Sequence, residues 1–330
     1  MSTVLYPLKF EPILREKIWG GNKLQSELNK PLNDCDNIGE SWELSCVEDH
    51  VSVVSNGFLK GNNLTELIEI YMGDLVGDRV FEMFGLEFPL LIKFIDASKP
   101  LSIQVHPDNQ AAQKLHQSNG KTEMWYVMQA QEGAELISGF KSIVTRDKYI
   151  SAVENNTLES LLFNCPVKSG DVFFIPAGRV HAIGAGILLA EIQQTSDVTY
   201  RIYDFGRKDD RGNERELHTL QALDVIDFNH SNNPKTEYNS IPNKLNDVVT
   251  SPYFKTGFLY LTKSMARDYY SLDSFVILIC VEGSAVIEYN NNGVEEITKG
   301  ETILLPAELK QVTFIPFSTV KLLEVYIPTK

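Results

Sequence analysis

"GDVFFIPAGRVHAIG", residues 170–184, decides how the whole chain is interpreted, because a close copy, "GETILLPAELKQVTF", occupies residues 300–314. Each copy begins with a glycine and an acidic residue, continues with strand-forming apolar residues and reaches Pro-Ala. β-Branched and aromatic residues favour strands, and proline is confined to their ends and edges. The repeat predicts two similar β-units. Only the first has Gly178 and His181 after its proline.

The spacing of the first copy is that of a known barrel motif. Gly170, Pro176, Gly178 and His181 follow the pattern G-x5-P-x-G-x2-H, which resembles the second motif of the cupin jelly rolls. The Pro-x-Gly turn would end one strand, and the histidine would begin the next strand and point into the mouth of the barrel. The first copy therefore predicts one side chain of a site inside a β-barrel.

The remainder of the chain predicts many short strands and a few helices. Residues 63–85 and 107–120 have helical spacing of apolar residues, with a proline at the start and Asn-Gly at the end of the second segment. Residues 123–140 are predicted to form a hairpin, and the polar, turn-rich residues 229–244 to form a linker. From residue 250 onward strand follows strand.

We therefore predict a mainly β protein with helical additions, built from two cupin-type jelly-roll β-barrel domains. Residues 1–240 would form the catalytic cupin domain with its helical segments. Residues 241–330 would form a cupin-like domain without a metal, since the second copy has Glu308 and Gln311 where the first has glycine and histidine. The second domain would pack against the first as a structural wall.

Composition narrows the class of function. The 330 residues are 43% hydrophobic and carry a formal net charge of −14, with an isoelectric point near 4.9. Such a surface repels phosphate backbones, which argues against nucleic-acid and anionic-membrane partners. No apolar stretch approaches the roughly 18 residues of a membrane span, and the start of the chain does not resemble a signal peptide. We expect a cytoplasmic protein that is a monomer or a small homo-oligomer.

The cysteines add to this expectation. Cys35, Cys46, Cys165 and Cys280 are widely spaced and form no C-x-x-C pair. They are interpreted as reduced, mostly buried thiols, and not as a disulfide framework or a thiolate zinc site.

Four residues before and within the first copy predict a metal site. In "PLSIQVHPD" alternate side chains share a strand face, so Gln104 and His106 can bind one ion. Glu123 enters the apolar run "MWYV", where a buried carboxylate needs a partner. With His181 they give two imidazoles and two oxygens, a set that suits zinc and also manganese, iron or cobalt. The absence of thiolates favours an exchangeable catalytic site.

Cationic side chains cluster around these candidates in an otherwise acidic chain. Lys93, Lys99 and Lys121 lie near the proposed ligands, and Asp197 and Arg201 follow His181. Lysines beside a divalent cation are unfavourable unless an anion is bound, so a phosphorylated or carboxylated substrate is expected. By contrast, Arg207 and Lys208 stand next to Asp209 and Asp210 and are interpreted as a solvated cluster.

At this point the chain resembles the type I mannose-6-phosphate isomerases, or phosphomannose isomerases, in their short bacterial form. The resemblance rests on "REKIWGG" (15–21), "PLLIKFIDASKPLSIQVHPD" (89–108), "GKTEMWY" (120–126) and "HAIGAGILLAEIQQTSDVTYR" (181–201). It implies a zinc-dependent enzyme with paired cupin jelly rolls that interconverts mannose 6-phosphate and fructose 6-phosphate through an enediol.

The resemblance also implies roles for individual residues. It implies one Zn²⁺ per chain, other divalent metals being left open, and a phosphorylated hexose as substrate. The family's metal ligands fall on Gln104, His106, Glu123 and His181, and its catalytic residues on Arg201, Lys121, Asp197 and Lys93. Ser102 matches a serine near the substrate phosphate, and Trp19 and Glu43 are expected to line the pocket.

The chain departs from the family pattern in two segments, one of which is the Ser-Asp-Asn element, which reads here Ser196-Asp197-Val198. Asn-His-Lys-Pro-Glu reads here Asn119-Gly120-Lys121-Thr122-Glu123, so a histidine and a proline are replaced. The short interval between Glu123 and His181 leaves little room for the helical insertion of the longer enzymes.

Alternatives remain at this stage. The general acid or base is open among His106, Asp197 and a metal-bound water, although a zinc-bound histidine is a poor free base. An iron-dependent cupin oxygenase would not need the lysines and Arg201. A non-catalytic sugar-phosphate-binding regulator could have lost the ligand set. A nucleotidyltransferase would need a glycine-rich phosphate loop that the sequence does not contain.

Overall fold

The computed structural model describes residues 5–31, 37–208, 212–230, 233–290 and 292–328. Its strands are β1 (Leu8–Lys9), β2 (Ile13–Gly21), β3 (Ile38–Leu44), β4 (Cys46–Val47), β5 (His50–Val51), β6 (Leu90–Ala97), β7 (Ile103–Val105), β8 (Glu123–Ala130), β9 (Glu135–Phe140), β10 (Leu162–Pro166), β11 (Val172–Ile175), β12 (His181–Ile183), β13 (Ile187–Gln194), β14 (Tyr200–Tyr203), β15 (Leu245–Thr250), β16 (Lys255–Leu261), β17 (Met265–Asp268), β18 (Val276–Tyr289), β19 (Gly293–Thr298), β20 (Thr302–Leu305) and β21 (Gln311–Tyr326).

The helices are few and short. They are α1 (Lys23–Ser26), α2 (Leu64–Val76), α3 (Asp78–Phe84), α4 (Asn109–His116), α5 (Arg146–Glu154) and α6 (Thr219–Val225), with one 3₁₀ turn at Leu158–Leu161. None of the helices within the described ranges is long and apolar enough to cross a membrane. The predicted mainly β fold with helical additions is confirmed.

Two antiparallel sheets form the first barrel. One has the strand order β11-β8-β13-β6-β3-β2 and the other the order β10-β9-β12-β7-β14. Their facing sides enclose an apolar cluster at one end, which includes Trp125, Ile175 and Ile183. At the other end of the same interior the side chains are polar, and this end contains the candidate site.

One eight-stranded sheet forms the second barrel. The strand order is β1-β20-β18-β21-β16-β15, and the long strands β18 and β21 also pair with β19 and β17. Each of these two long strands therefore pairs with three other strands, β18 with β19, β20 and β21, and β21 with β16, β17 and β18. Their inward side chains make an apolar core of their own, which includes Leu278, Ile287, Phe314 and Leu322.

The two barrels share a large apolar interface. Outward-facing residues of β6, β8 and β13 join α2 and the second barrel in one continuous cluster. Tyr126 stacks on Phe258 with ring centroids 6.0 Å apart, and Phe88 meets Phe275 at 4.5 Å. The N-terminal strand β1 pairs with β20, so it is an edge strand of the second barrel. The domain boundary between residues 240 and 241 stays a prediction. Among the described strands, β1 crosses this boundary, because it lies in the N-terminal part of the chain but pairs with β20 of the second barrel.

Two local predictions differ from the structure. Asn63 caps α2 through a capping box with Glu66, but the predicted helix over 63–85 is interrupted twice: inside α2 at Met72, with φ +45°, and between α2 and α3 at Gly77, with φ +95°. The predicted hairpin over 123–140 is wrong: β8 pairs with β11 and β13, whereas β9 pairs with β10 and β12 in the opposite sheet. These two strands face each other across the barrel core.

The expectation of reduced thiols holds for the cysteines that the structure describes. Cys46, Cys165 and Cys280 are free, and the last two are buried. Cys35 lies outside the described residues.

The repeated sequence has the same role in both barrels. It begins at a glycine with positive φ, Gly170 at +87° and Gly300 at +89°, and continues as β11 or β20. In the first copy the turn after the proline needs a second such glycine, Gly178, at φ +86°. Other residues rarely adopt this conformation, so glycine is required there. The second copy has Glu308 instead, outside the left-handed region.

Candidate metal centre and its surroundings

Three predicted ligands meet inside the first barrel. His106, Glu123 and His181 are each about 1% exposed, and their ligand atoms lie within 4.8 Å of one another. Nε2 of His106 is 3.5 Å from Glu123 Oε2, and Nε2 of His181 is 3.4 Å from Glu123 Oε1. These contacts are too long for good hydrogen bonds. The three side chains converge on a common point but do not form good hydrogen bonds with one another.

The strands and one turn explain this convergence. His181 opens β12 and pairs with Gln104 on β7, so the two side chains share a sheet face. The N–H of Gly178 donates to the carbonyl of His106 at 2.9 Å, which ties the end of β7 to the turn before β12. Glu123 opens β8 in the opposite sheet and points at the pair of histidines across the barrel.

Both imidazoles are oriented by backbone carbonyls. Nδ1 of His106 contacts the carbonyl oxygen of Val198 at 3.1 Å, and Nδ1 of His181 contacts that of Arg179 at 2.8 Å. Since a carbonyl only accepts, each Nδ1 carries the proton and each Nε2 has a free lone pair. Burial lowers the pKa of both histidines, that of His181 to about 4, so both are neutral near pH 7.

The unpartnered atoms match a divalent cation. Nε2 of His106, Nε2 of His181 and Oε2 of Glu123 are buried without a hydrogen-bond partner. Such atoms are costly to bury, and two neutral imidazoles with a carboxylate are typical metal ligands. The pKa of Glu123 is raised to about 8 by burial and by the charge of Glu191, with Lys121 and Lys93 opposing. A cation at this point would relieve each of these costs, so these residues fit a metal.

Two buried lysines line the same polar end of the barrel. Lys121 Nζ is 3.5 Å from Glu123 Oε2. Lys93 donates to Glu191 Oε1 at 3.1 Å and to Gln193 Oε1 at 2.7 Å. Burial disfavours the charge of Lys93, but Glu191 and Glu40 outweigh burial and raise the pKa of Lys93. Both lysines therefore lie close to Glu123, one of the candidate metal ligands.

Glu191 is a site residue that the sequence reasoning missed. It is 4% exposed and accepts from Lys93 and from the Trp125 indole at 2.8 Å. Burial would raise its pKa, but Lys93 and Lys121 outweigh burial and lower it, which keeps the carboxylate ionised. The signal was present in "ILLAEIQQ", where one carboxylate interrupts an apolar strand as Glu123 does in its own.

Arg201 and Asp197 lie at the edge of this region. Arg201 on β14 pairs with Gln104, which in turn pairs with His181, so the three side chains stand in one row across the sheet. Asp197 is exposed and lines a cavity of about 460 Å³ together with Val198, whose carbonyl holds His106. The charge of Asp197 reaches Lys93 and helps to raise its pKa.

The three predicted substrate-binding residues are less closely grouped. Ser102 is buried just before β7 and two residues from Gln104. Trp19 is buried in the apolar end of the first barrel. Glu43 is not brought to the site: it faces away from the barrel interior, where Lys30 donates to its carboxylate at 2.7 Å. Its neighbours in the strand, Glu40 and Trp42, carry the inward side chains.

The predicted solvated cluster near residue 208 is only partly described. Asp209 and Asp210 lie outside the described residues. Arg207 is half-buried and bonds to Asp204 and to the carbonyl of Pro100, so it is held in place and is not a freely solvated cation.

The sequence is similar to known phosphomannose isomerases. Residues 7–141 match the family model for the catalytic domain of type I phosphomannose isomerase. The chain is 36% identical over 315 residues to mannose-6-phosphate isomerase of Streptococcus mutans serotype c, covering 93% of this chain and 95% of that protein. It is 35% identical to mannose-6-phosphate isomerase of Bacillus subtilis, with coverage of 91% and 93%.

A solved structure gives the same result for the fold. The crystal structure of the mannose 6-phosphate isomerase from Bacillus subtilis superposes with a TM-score of 0.87 at 31% identity, covering 97% of this chain and 99% of that one. The sequence relatives extend over both barrels and nearly their own full length. By the matched catalytic domain and by these relatives, the chain belongs to the type I phosphomannose isomerase family.

Proposed function

We propose that the protein is an aldose–ketose isomerase that interconverts mannose 6-phosphate and fructose 6-phosphate. The observation that carries this proposal is the convergence of His106, Glu123 and His181 on a common point beside buried Lys121. In a chain so similar to two mannose-6-phosphate isomerases, this arrangement is what a metal-assisted isomerase needs. The substrate is a phosphorylated hexose, which suits the two buried lysines and Arg201 in an otherwise acidic protein.

The proposed cofactor is one Zn²⁺ per chain. His106, Glu123 and His181 would hold it, with Gln104 as fourth ligand, because Gln104 shares a sheet face with His181. The same two-nitrogen, two-oxygen set accepts other divalent metals. When bound, the metal would polarise the sugar oxygens and stabilise negative charge that develops on them.

The chain's own cations would stabilise the remaining charge. Moving a proton between C2 and C1 passes through an enediol, whose formation requires positive charge near the two oxygens. Lys121 is buried next to Glu123 and is the first candidate for this role. Lys93 supports the charge from a fixed position, because Glu191 and Gln193 hold its ammonium group. Arg201 stabilises the enediolate or the phosphate from the neighbouring strand.

Asp197 is the proposed proton carrier. With a metal bound, both nitrogens of His106 would be committed, Nδ1 to the Val198 carbonyl and Nε2 to the cation, so His106 would have no free lone pair for a substrate proton. Asp197 is exposed at the cavity of about 460 Å³ and within electrostatic reach of Lys93. It can therefore exchange protons with solvent.

Further parts of the proposal concern the setting of the site. Ser102 is proposed to contact the substrate and Trp19 to form an apolar wall of the pocket.

Residues 1–240 are proposed as the catalytic unit and residues 241–330 as a supporting, metal-free unit. We also propose a cytoplasmic monomer or small homo-oligomer with no nucleic-acid partner, as the acidic composition favours.

The test is conversion of mannose 6-phosphate to fructose 6-phosphate by the purified protein, before chelation, after chelation and after zinc is added back. We expect activity to be lost on chelation and restored by zinc. A fully metal-loaded protein without activity would refute the isomerase proposal. Activity that persists after complete metal removal would refute only the metal dependence.

A further inference from the structure

His218 stands immediately before α6, yet its side chain does not cap that helix. Its imidazole makes no capping hydrogen bond to the first turn of α6, and histidine is not among the residues that cap helices well. The ring lies beside β14 instead, where its centroid is 6.1 Å from that of Tyr200, the first residue of the strand. A histidine at this position therefore needs an explanation outside the helix.

Both main-chain polar groups of Arg201 bond to His218. The N–H of Arg201 donates to Nδ1 of His218 at 3.1 Å, and the N–H of His218 donates to the carbonyl of Arg201 at 2.7 Å. Among the described strands β14 pairs with β7 and ends the sheet, and an edge strand leaves main-chain groups without strand partners. His218 supplies these partners at Arg201, with its ring in the place of a backbone carbonyl.

The side chain of Arg201 is held by the segment that leads to His218. Nη1 of Arg201 donates to the carbonyl of Glu216 at 3.0 Å. The residue before it, Arg215, is anchored in turn, because its Nε donates to the carboxylate of Asp204 at 2.7 Å. Asp204 directly follows β14. The segment is therefore fixed beside β14 at two points, and it holds both the main chain and the side chain of Arg201.

The contact with Arg201 also fixes the tautomer of the His218 imidazole. Because a backbone N–H can only donate, Nδ1 of His218 accepts and the ring proton is on Nε2. The two candidate metal ligands, His106 and His181, have the opposite arrangement, since their Nδ1 atoms donate to carbonyls. His218 and Asp197 line the same cavity of about 460 Å³, so the ring lies in the wall of the proposed active site.

We propose that His218 is a positioning residue for Arg201. This inference rests on the proposed isomerase function, in which Arg201 stabilises negative charge on the substrate. Such stabilisation requires a donor that is fixed before the reaction, and a displacement of about 1 Å can cost a factor of about 100 in rate. In an edge strand without His218, the main chain of Arg201 would be free to shift, and the guanidinium group would move with it. His218 thus acts through Arg201 and not on the reacting atoms.

The test compares the zinc-loaded wild-type enzyme with three variants at position 218. His218→Asn places an amide oxygen where Nδ1 lies, so it can still accept from Arg201. His218→Gln carries its oxygen one bond further out, and His218→Ala has no acceptor. His230→Ala is the matched control, because Nδ1 of His230 also contacts a main-chain group, the carbonyl of Phe140 at 2.8 Å, but on β9, three strands away from β14.

The measurements are kcat and KM for mannose 6-phosphate, zinc content, and hydrogen exchange at the Arg201 amide. We expect kcat/KM to fall about 10-fold in His218→Ala and in His218→Gln, the usual scale for one lost hydrogen bond. The Arg201 amide should exchange faster in both variants, while zinc content stays unchanged. His218→Asn should retain most of the wild-type kcat/KM and slow exchange, and His230→Ala should match the wild type in both.

A double-mutant cycle separates positioning from a general loss of folded enzyme. In a protein that already carries Arg201→Ala, adding His218→Ala should have no further effect on kcat/KM, because the side chain that His218 positions is gone. A merely structural role would lower kcat/KM by the same factor with and without the Arg201 side chain. Should His218→Ala fold poorly, the comparison of His218→Asn with His218→Gln decides the question.

Three results would overturn the inference. Unchanged kcat/KM in folded His218→Ala, equal activities of His218→Asn and His218→Gln, or equal losses in both arms of the cycle would refute the positioning role and leave the isomerase proposal intact. A wild-type, zinc-loaded enzyme that does not convert mannose 6-phosphate would refute the proposed function and this inference with it.

Discussion

Zinc affinity should depend on pH through a single carboxyl group, Glu123. Without metal, burial and the charge of Glu191 raise the pKa of Glu123 to about 8, so the group is protonated near pH 6. A divalent cation requires the carboxylate, and binding must then release that proton. The histidines add nothing between pH 6 and 8: the pKa of His106 is well below its usual range, and that of His181 is lowered to about 4.

The size of the effect follows from these values. The logarithm of the zinc association constant should rise by about one per pH unit below pH 8 and level off above it. Affinity should therefore be about 100-fold weaker at pH 6 than on the plateau above pH 8, which is about 3 kcal/mol at 1.36 kcal/mol per pKa unit, and about 50-fold weaker than at pH 8 itself, where half of the groups are protonated. The direction is fixed by the raised pKa: the metal-free protein holds a proton that the bound form has lost.

The assay is competition for zinc against a chelator of known proton affinity, at half-unit steps from pH 6 to pH 9. Glu123→Gln retains an oxygen ligand but has no proton to release, so its zinc affinity should be weaker at pH 8 and independent of pH. Glu282→Gln, at an exposed carboxylate paired with Lys321, is the matched control and should keep the wild-type slope.

A flat profile in the wild-type protein would refute the reasoning. It would mean that Glu123 is already ionised in the metal-free state, with Lys121 and Lys93 outweighing burial. A slope near two would mean that a histidine also loses a proton, contrary to the neutral tautomers that the carbonyl contacts fix.

Other variants test the remaining parts of the site and fold. Arg201→Ala should remove most of kcat/KM, by a factor of about 100 or more, and leave zinc content intact, since Arg201 is not among the three converging ligands; loss of zinc instead would make its role structural. Gly178→Ala should lower zinc affinity and cost about 2 kcal/mol or more in chemical unfolding, because its φ is +86° and a Cβ would lie 2.8 Å from a backbone oxygen. Gly133→Ala, at φ +76° in open space, should cost only about 1 kcal/mol and leave zinc affinity unchanged. Arg267→Met should destabilise the second barrel by about 3 kcal/mol in urea unfolding, because it leaves fully buried Glu324 without its cation, and adding Glu324→Leu should recover much of the loss.

The convergence of His106, Glu123 and His181 could be predicted from sequence because the signals are local. His181 follows a turn whose proline and glycine have fixed spacing, and Gln104 lies on a strand with clear alternation. Glu123 stands out as a charge that enters an apolar strand. Glu191 interrupts an apolar strand in the same way, but "ILLAEIQQ" has no histidine or turn motif that would mark the carboxylate as part of a site. Such local patterns can be interpreted without knowledge of the tertiary structure, since each depends only on the direction in which one side chain points from its strand.

What the sequence could not supply was the pairing between distant segments. Residues 123–140 have the pattern of a hairpin, yet β8 and β9 lie in opposite sheets, because each strand finds better partners far along the chain. Arg207 looked solvated beside Asp209 and Asp210, whereas it bonds to Asp204 and to the Pro100 carbonyl. The hairpin prediction took neighbours in sequence for neighbours in space.

The second barrel has other side chains at the positions that correspond to the candidate metal ligands Gln104, Glu123 and His181. Gln311 pairs with Asp268 as His181 pairs with Gln104, so register alone places these residues at corresponding points. Val276, which pairs with the residue just before the repeated proline, stands where the first barrel has its glutamate ligand. Within the described residues of the second barrel, these positions therefore offer no imidazole. What the two copies of the repeated sequence have in common is the strand that each forms, β11 or β20, and the Pro-Ala that follows it.

One carboxylate nevertheless persists in both barrels. Glu324 occupies the position of Glu191, since each pairs with the residue two places after the start of β18 or β8. In the second barrel its partners are Arg267, at 2.6 Å, and Tyr269, at 2.7 Å, instead of a lysine and a tryptophan. A buried carboxylate with a cation thus occurs in the barrel that has no metal ligands at the corresponding positions. The buried carboxylate is therefore common to the two barrels but its cation is not, because Glu191 pairs with Lys93 whereas Glu324 pairs with Gly257. Lys93, the two histidines and Glu123 are what the proposed isomerase site adds to the shared carboxylate.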